Sequence, residues 1–497
     1  MEVRSEKDEN RAQPDLKVNF IYRLVYEILL YAIPILMMPY ISRVLGADGV
    51  GEYSYSYSVI SYFMMFASLG TAAYGTREIA RNRDDRRSFT RIFWEIEFMS
   101  MAVSAVCLIL WGVLIFMGTL HRMYFIVLTP FLLGTMFDIS WFYMGLERVR
   151  VLALSGSIVQ IAGVAALLIF VRTKEDVLLF CLLSAVTVFI ANLSMWLFLP
   201  RFLVKDDLKG LKILPHFRKT LIYFVPTAAM SVYLVLDKTL IGLIGRDASQ
   251  NGYYEQASRL IAIAEALAFI IYNKVATARL SYLFSRHAYE EIRERIRSSM
   301  DYIFLLGYGA AFGLLGIAHT FVPVFLGDGF APAETLLVMM LPLIPVIGVS
   351  NCLGILYYIP AGKRAQSTKY IVAGAGCNLL LNLCLIPYLG AKGAVIATIA
   401  AELLISVLML RYCEGYLSLR LIGAYSAKRI PAGIVMALCV RFLSNLPLPS
   451  PVVLLIQIAS GAVIYVLLLM ICKDAMLKDL FQKIRNRELH GADREVS

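Results

Sequence analysis

Residues 452–472 have the sequence VVLLIQIASGAVIYVLLLMIC, an apolar run without a single charged side chain. An α-helix needs about 20 such residues to cross a bilayer. Hydrophobic residues make up 59% of the 497-residue chain and charged residues only 17%, whereas soluble domains are about half apolar and a quarter charged. The composition therefore excludes an ordinary soluble enzyme and predicts an all-α polytopic membrane protein.

Thirteen further apolar segments approach spanning length, so the sequence predicts about fourteen transmembrane helices. The predicted spans are 18–41, 51–75, 92–117, 123–144, 151–171, 177–199, 219–243, 253–278, 300–324, 333–360, 370–387, 394–412, 430–445 and 452–472. The first span follows a mixed-charge segment and has no small-residue cleavage site after it, so we interpret it as a retained helix and not as a signal peptide.

The distribution of basic residues predicts the orientation of these spans. With the N-terminus in the cytoplasm, the inner segments carry 36 Lys and Arg residues and the outer loops carry seven. Cytoplasmic loops of membrane proteins are enriched in Lys and Arg. The asymmetry predicts that both termini are cytoplasmic, and the short outer loops leave no room for a folded outer domain.

A short repeat predicts two halves of six helices each. Gly46-Ala47-Asp48 and Gly51-Glu52-Tyr53 recur as Gly245-Arg246-Asp247 and Gly252-Tyr253-Tyr254, each copy after a span that contains a proline. Six spans per half imply a parallel pseudo-repeat with an alternately opening cavity between two bundles. Prolines in spans 1, 7 and 10 are candidate hinges: Pro34, Pro226, Pro342 and Pro345. The predicted regions are a cytoplasmic leader (1–17), an N-terminal bundle (18–199), a cytoplasmic linker (200–218), a C-terminal bundle (219–412), two added helices (430–472) and a cytoplasmic tail (473–497).

Ionisable side chains inside the predicted spans are the candidate site residues. Such a group costs roughly 2.5–3.5 kcal/mol on insertion scales and normally faces a cavity or a partner. Four basic residues lie at two depths of spans 1, 7 and 8, where we expect them to bind an anionic headgroup: Arg23, Lys238, Arg259 and Lys274. Acidic residues nearby are candidate ion-coupling groups or charge partners: Glu27, Asp237, Glu255 and Glu265. Alternatively, Arg23–Glu27 and Glu255–Arg259 are local ion pairs one helical turn apart.

Other features of the sequence have simpler interpretations. Residues 52–58 alternate Tyr and Ser but are expected to form a helix, because a strand edge cannot face lipid. Their tyrosines are either interfacial residues or a platform for sugar stacking. The charged run 279–297 predicts a surface helix that faces solvent or lipid headgroups. The eight cysteines and five histidines show no metal-ligand spacing, so no metal, cofactor or nucleic-acid partner is predicted.

Two regions of the sequence contain recognisable motifs. The first is Pro39-Tyr40-Ile41-Ser42-Arg43-Val44-Leu45-Gly46 with Gly49-Val50-Gly51-Glu52-Tyr53, followed by Leu69-Gly70 and Tyr74-Gly75-Thr76-Arg77-Glu78-Ile79-Ala80-Arg81. The second runs from Asn378 and Asn382 through Leu385-Ile386-Pro387-Tyr388-Leu389-Gly390-Ala391-Lys392-Gly393-Ala394 to Ala397-Thr398. Both regions resemble the bacterial polysaccharide flippases, which transport lipid-linked oligosaccharides and belong to the multidrug/oligosaccharidyl-lipid/polysaccharide exporter superfamily.

The resemblance implies a flippase and not an enzyme. Its substrate would be an undecaprenyl-diphosphate-linked oligosaccharide, moved from the inner to the outer leaflet of the bacterial cytoplasmic membrane for surface polysaccharide assembly. It also implies a cation-lined cavity, contact with membrane lipids, a monomer, and a polymerase or ligase of the same glycan pathway as a partner. No catalytic residues are predicted. A multidrug or small-cation antiporter of the same superfamily is the alternative, followed by a membrane polysaccharide polymerase or ligase.

Overall fold

The structure is a computed structural model that describes residues 16–118, 121–205, 210–245, 247–479 and 482. In helical residues 16–31, and in parts of 226–230 and 270–278, only the backbone is described. The described residues form helices and connecting turns without any β-strand, which confirms the all-α prediction. The chain divides into two compact units, residues 1–243 and 244–497.

Unit 1 contains eight of the α-helices. They are α1 (Leu16–Ser68), α2 (Thr71–Arg81), α3 (Arg86–Phe116), α4 (Arg122–Met136), α5 (Ser140–Gly145), α6 (Val149–Phe170), α7 (Val177–Met195) and α8 (Ile213–Ile244). Helix α8 ends at the limit of this unit, whereas the predicted C-terminal bundle begins at residue 219. The predicted bundle limits and the pseudo-repeat stay predictions.

Unit 2 contains the other α-helices of the described chain and two π-helical segments. They are α9 (Ala248–Glu265), the π-helix Ala266–Ile270, α10 (Ile271–Ser285), α11 (Tyr289–Leu326), α12 (Ala331–Met340), α13 (Leu343–Leu353), the π-helix Gly354–Tyr358, α14 (Arg364–Leu389), α15 (Ala391–Arg411), α16 (Leu419–Phe442) and α17 (Ser450–Ile471).

Every predicted span falls on a helix or on a pair of consecutive helices. Eight helices in the described part of the chain are long and apolar enough to cross a membrane, and a ninth is added if α12 and α13 form one bent span. The predicted spans outside this set coincide with α1 and α2, α8, α9 and α10, and α16. The chain is therefore a multi-pass helical membrane protein, and fourteen spans are compatible with its helices.

Two glycines of the sequence motifs are required by the backbone. Gly46 has φ 68° at a break that separates the two helical halves of α1. Gly390 has φ 56° between α14 and α15, where a Cβ atom would overlap the side-chain amide of Gln250. The Gln250 Oε1 atom accepts a 3.0 Å hydrogen bond from the backbone N–H of Ala391 at that turn. Both turns need a left-handed backbone, which only glycine adopts without strain.

A proline lies at the bend between α12 and α13 in unit 2. The segments 328–340 and 343–358 differ in direction by 50°, and Pro342 lies at the break between them. Proline removes a backbone hydrogen bond and clashes with the preceding turn. The predicted hinge in span 10 therefore coincides with a bend in the structure.

The charged run 279–297 does not form a separate surface helix. Residues 279–285 complete α10, a turn follows, and residues 289–297 are the first turns of the 38-residue helix α11. The expected solvated face is present, because the guanidinium groups of Arg293 and Arg295 pair with Glu290 and Glu291 at 2.7 and 3.4 Å. Predicted span 9 begins at residue 300 because the apolar run begins there. The helix itself begins at Tyr289, since a helix can continue beyond the membrane.

An aromatic cluster fixes the position of α3 in unit 1. Phe93 is fully buried, with its ring 5.6 Å from that of Trp141 and 4.9 Å from that of Phe142. The hydroxyl of Tyr143 donates a 2.7 Å hydrogen bond to the carbonyl of Met195. These contacts join α3 to α5, and α5 to α7.

A buried arginine joins three segments of unit 2. Arg429 on α16 is 1% exposed, and its Nη2 atom lies 2.6 Å from Oδ1 of Asp301 on α11. The same guanidinium donates two 3.2 Å hydrogen bonds to the carboxylate of Asp474, just after α17. Its Nη1 also donates to the carbonyl of Asp301 at 2.7 Å. A guanidinium that satisfies two carboxylates in this way fixes α16 and the end of α17 to α11.

Arg429→Met should destabilise the protein strongly. Loss of the guanidinium leaves the buried carboxylate of Asp474 and the partly buried carboxylate of Asp301 without their shared partner, and breaking a buried ion pair costs about 3–5 kcal/mol. Arg441→Met on the same helix is the matched control. Arg441 is 49% exposed and lies 3.6 Å from Glu334, so its loss should change stability by less than about 1 kcal/mol.

The measurement is the thermal unfolding midpoint of each purified variant in detergent. Equal midpoints for Arg429→Met and Arg441→Met would show that the buried cluster does not hold these helices together.

Candidate functional site

The eight predicted site residues lie on four helices. Arg23 and Glu27 lie on α1, Asp237 and Lys238 on α8, Glu255, Arg259 and Glu265 on α9, and Lys274 on α10. The side chains of Arg23, Glu27 and Lys274 lie outside the described part of the structure. The other five side chains can be placed within their own units.

In unit 1, Asp237 and Lys238 lie beside a polar contact between α8 and the second half of α1. The hydroxyls of Tyr62 and Thr239 are 3.1 Å apart, and Thr239 donates a 2.9 Å hydrogen bond to Ser58. Asp237 is 7% exposed and acts electrostatically on Tyr62. Both Asp237 and Lys238 take part in further interactions. The two predicted residues of α8 therefore belong to a polar region of unit 1.

In unit 2, Glu255 and Arg259 form the local ion pair that the sequence left as an alternative. The Nε atom of Arg259 is 2.5 Å from Oε1 of Glu255. The Glu255 side chain is 6% exposed, whereas that of Arg259 is 41% exposed. The pair neutralises the buried carboxylate and leaves the guanidinium partly exposed.

Glu265 lies where α9 changes into the π-helix Ala266–Ile270. Its Oε1 atom is buried and has no hydrogen-bond partner among the described residues. Glu402 on α15 acts electrostatically on it, and both are acidic. Single-turn π-helices occur often at functional sites. Two neighbouring carboxyl groups at such a turn are suited to hold a proton or a cation.

Amides and hydroxyls join the helices around α9 and α10. Asn273 donates a 2.7 Å hydrogen bond to the side-chain oxygen of Asn351. On α14, Asn382 donates to Asn378 at 3.0 Å, and Asn378 donates to Thr398 on α15 at 3.4 Å. The asparagines of the second motif therefore bind other motif residues within unit 2, as fold determinants would.

The tyrosines of residues 52–58 are packed against other aromatic rings. The helix predicted for this stretch is part of α1. The ring of Tyr53 lies 4.9 Å from that of Phe180, and the ring of Tyr57 lies 5.2 Å from that of Phe131. Ser54, between them, is 3% exposed. These contacts favour packing over a platform for sugar stacking.

A buried histidine network in unit 1 has no counterpart among the predicted site residues. His216 of α8 is 8% exposed, its Nδ1 atom lies 2.7 Å from the Tyr74 hydroxyl, and its Nε2 atom lies 2.9 Å from Oε2 of Glu95. Glu95 Oε1 also accepts a 2.8 Å hydrogen bond from the backbone N–H of Lys212 and lies 3.4 Å from Arg91. The network joins α2, α3 and the start of α8.

The only sequence signal for this network was an acidic residue inside an apolar run. Glu95 and Glu97 both lie in predicted span 3, which has two ionisable residues, as many as predicted span 1, so a search for charges within the spans could have found them. His216 is 121 residues away from Glu95, and no motif relates the two positions. Only the tertiary structure brings them together.

Outside the spans, Lys363 binds Glu414 and joins two neighbouring connections of unit 2. The Lys363 ammonium donates a hydrogen bond to the Glu414 carboxylate, and a second bond from Tyr357 adds to it. The bond from Lys363 is the main reason that the pKa of Glu414 lies below its ordinary value. These two connections lie on the predicted cytoplasmic side.

Comparison with protein families identifies the chain. Residues 16–284, just over half of the sequence, match the family described as "Polysaccharide biosynthesis protein". The chain belongs to this family. The resemblance inferred from the two sequence motifs is thereby confirmed.

Two individual relatives align with most of the chain, including residues beyond the part that matches the family. A protein of Escherichia coli (strain K12) named as an O-antigen transporter is 26% identical over 417 residues, which cover 81% of this chain and 98% of that protein. A protein of Shigella dysenteriae named likewise is 23% identical and covers 77% of this chain and 96% of its own length.

Two solved structures share the fold. The lipid II flippase MurJ in an inward closed conformation has a TM-score of 0.71 at 14% identity, over 93% of this chain and 99% of MurJ. An inward-facing multidrug resistance transporter of the MATE family and MOP superfamily has a TM-score of 0.56 at 12% identity, over 82% and 99%. The chain therefore has the same fold as these two transporters, and the family match connects it with polysaccharide biosynthesis.

Exchanging the charges of Glu255 and Arg259 tests whether Arg259 acts only through its ion pair. The double variant Glu255→Arg/Arg259→Glu keeps an oppositely charged pair one turn apart but moves the cation by one helical turn. We expect normal protein abundance and loss of surface glycan in a complementation assay, because a bound anion needs the cation at its own position. Full recovery of surface glycan would show that the pair is only structural.

Proposed function

We propose that this protein translocates an undecaprenyl-diphosphate-linked oligosaccharide from the inner to the outer leaflet of the bacterial cytoplasmic membrane. The product would serve capsule, O-antigen or exopolysaccharide assembly. The match of residues 16–284 to the polysaccharide biosynthesis family carries the proposal. Two relatives named as O-antigen transporters, aligned over nearly their whole lengths, support it.

The proposed headgroup site consists of the four basic residues of spans 1, 7 and 8. Arginine binds phosphate oxygens through parallel N–H donors, and lysine binds them as a point charge. Arg259 is suited to this role because its paired guanidinium remains partly exposed. In an alternating-access cycle, cations at two depths of the cavity would receive the diphosphate from one leaflet and pass it to the other.

The membrane potential would assist this movement. Outward transfer of about two negative charges gains roughly 2.3 kcal/mol per charge per 100 mV when the cytoplasm is negative. Direct use of ATP is not proposed, since the sequence contains no nucleotide-binding motif. Export would then be driven by the potential, with or without a coupled ion.

The proposed topology has both termini in the cytoplasm, because basic residues are concentrated on the segments of that side. We further propose that the protein acts as a monomer and that a polymerase or ligase of the same pathway uses the translocated lipid. Such enzymes work on the outer face of the membrane. Because this chain has only short predicted loops on that face, a separate protein would supply the activity.

A multidrug or small-cation antiporter is the second candidate. Its support is the fold shared with a MATE transporter and the neighbouring acidic residues Glu265 and Glu402. A MATE-type substrate is an amphipathic cation, which would bind to a carboxylate and not to the four basic residues. The family match favours the oligosaccharide over such a substrate.

Depletion of the protein should cause complete lipid-linked oligosaccharides to accumulate on the inner leaflet, because their route outward is lost. The measurement is extraction and composition analysis of the lipid-linked glycan, with sidedness determined by an impermeant lectin or glycosidase. Normal outer-leaflet units with short glycans would instead indicate a polymerase. An unchanged glycan pool with increased sensitivity to cationic drugs would favour the antiporter.

Neutralising the proposed headgroup site should abolish surface glycan at normal protein abundance. The variants are Arg23→Gln, Lys238→Gln, Arg259→Gln and Lys274→Gln, each of which removes a charge needed to bind the diphosphate. The matched controls are Arg293→Gln and Arg295→Gln, whose exposed ion pairs contribute less than about 1 kcal/mol to stability. Wild-type surface glycan in all four site variants would rule out this site.

A further inference from the structure

Glu97 on α3 is the most completely buried acidic residue without a partner in the described structure. Its side chain is 0% exposed. Neither Oε1 nor Oε2 has a hydrogen-bond partner among the described residues. No Lys, Arg or His side chain among those residues lies within ion-pairing distance of it.

The protonation state of Glu97 follows from its surroundings. Burial of an ionised carboxylate without a hydrogen bond or a counter-charge is far more costly than burial of the neutral acid. The neutral acid is also the form that can tolerate a nearby negative charge. In the conformation described here, Glu97 is therefore expected to carry a proton.

The charged and titratable groups around α3 reinforce this assignment. Helix α3 packs against α1, α2 and α4. Asp138, which follows α4, acts electrostatically on Glu97 with the same charge. Glu95 is two positions away, and its carboxylate already binds His216 and Arg91.

Among the described side chains of the other neighbouring helices, none is a hydrogen-bond or ion-pair partner of Glu97. On α2, Tyr74 binds the same histidine network, and Arg77 donates a hydrogen bond to the hydroxyl of Tyr223. On α1, Tyr62 binds Thr239. None of these groups compensates a charge on Glu97.

A second orphaned polar atom lies on the same face of α3. Ser104 is fully buried, and its Oγ atom has no hydrogen-bond partner among the described residues. It follows Glu97 by seven residues, which is about two helical turns. Ser100, between them, is 4% exposed. Buried polar groups are almost always hydrogen-bonded. Two such groups without a hydrogen bond on one face of α3 therefore indicate that this face binds a partner in another conformation of the protein.

We propose that Glu97 is a proton-binding site of unit 1 and that this structure represents its protonated state. When the α3 face opens to water on the cytoplasmic side, the carboxyl O–H bond breaks and the proton passes to water. When it opens on the other side, the carboxylate takes a proton from water and the O–H bond forms again. One proton thereby enters for each outward movement of substrate. This coupling rests on the proposed flippase function, and it assigns the exchange to a residue outside the predicted coupling set of Glu27, Asp237, Glu255 and Glu265.

The protonated state can be measured without any transport substrate. The experiment is infrared spectroscopy of the purified full-length protein at neutral pH, in the region of the C=O stretch of a protonated carboxylic acid. Wild type should show a band that is lost in Glu97→Gln. The matched control is Glu290→Gln, which removes an 85% exposed carboxylate and should leave the band unchanged. A neutral-pH spectrum identical in wild type and Glu97→Gln would show that Glu97 is ionised and would overturn the proposal.

The coupling is tested in proteoliposomes that contain a lipid-linked oligosaccharide. An inward proton gradient should accelerate outward movement of the glycolipid by wild-type protein. Glu97→Gln mimics the protonated acid, so it should fold normally and lose this acceleration. Acceleration that persists in Glu97→Gln would overturn the coupling role. Glu97→Asp, which keeps a titratable group, should retain at least part of the acceleration.

The two hypotheses fail in distinguishable ways. If wild type moves no lipid-linked oligosaccharide under any gradient, the proposed function is wrong, and the infrared band still decides whether Glu97 binds a proton. If wild type moves the glycolipid but ignores the proton gradient, the flippase proposal stands and the coupling at Glu97 is wrong.

Discussion

The hydrocarbon interior of a bilayer offers no hydrogen-bond partner, and most of this structure follows from that constraint. Backbone groups must be satisfied within each segment, so the described chain is helical. Charged side chains also need partners, and several of them form ion pairs with one another. Arg429 binds Asp301 and Asp474, Glu95 binds His216, and Glu255 binds Arg259. The carboxyl oxygens of Glu97 and Glu265 that lack a hydrogen-bond partner are exceptions to this pattern. An ionisable group without a partner inside a membrane is costly, so such residues indicate a functional site.

The same constraint limits where helices can break. A transporter must bend, but each break exposes backbone groups that need new partners. The breaks in this chain have identifiable causes: a left-handed glycine at Gly46 and at Gly390, and a proline at the 50° bend near Pro342. The π-helix after Glu265 has one extra residue per turn and changes the direction of the following side chains. Glu265 is thereby placed at the junction between α9 and α10.

Much of the fold could be predicted because it depends on local sequence. Apolar runs located the helices, and motif glycines such as Gly46 and Gly390 marked turns. The limits of helices were less predictable: α11 begins at Tyr289, since solvated charges end an apolar run without ending a helix. Partners distant in sequence could not be predicted. Nothing near Arg429 indicates that it binds Asp474, and nothing near Glu95 indicates that it binds His216. The local pair Glu255–Arg259 was foreseeable as an alternative, because its spacing alone brings the groups together.

The account depends on the claim that this chain moves a lipid-linked oligosaccharide across a bilayer by itself. The most direct measurement is reconstitution of the purified protein into vesicles with a labelled lipid-linked oligosaccharide in one leaflet and no nucleotide. The exposure of the label to an impermeant lectin is then followed with time. The account predicts that exposure is faster than in protein-free vesicles and faster still when the potential favours movement of negative charge toward the lectin. Exposure equal to that of protein-free vesicles at every potential would contradict it.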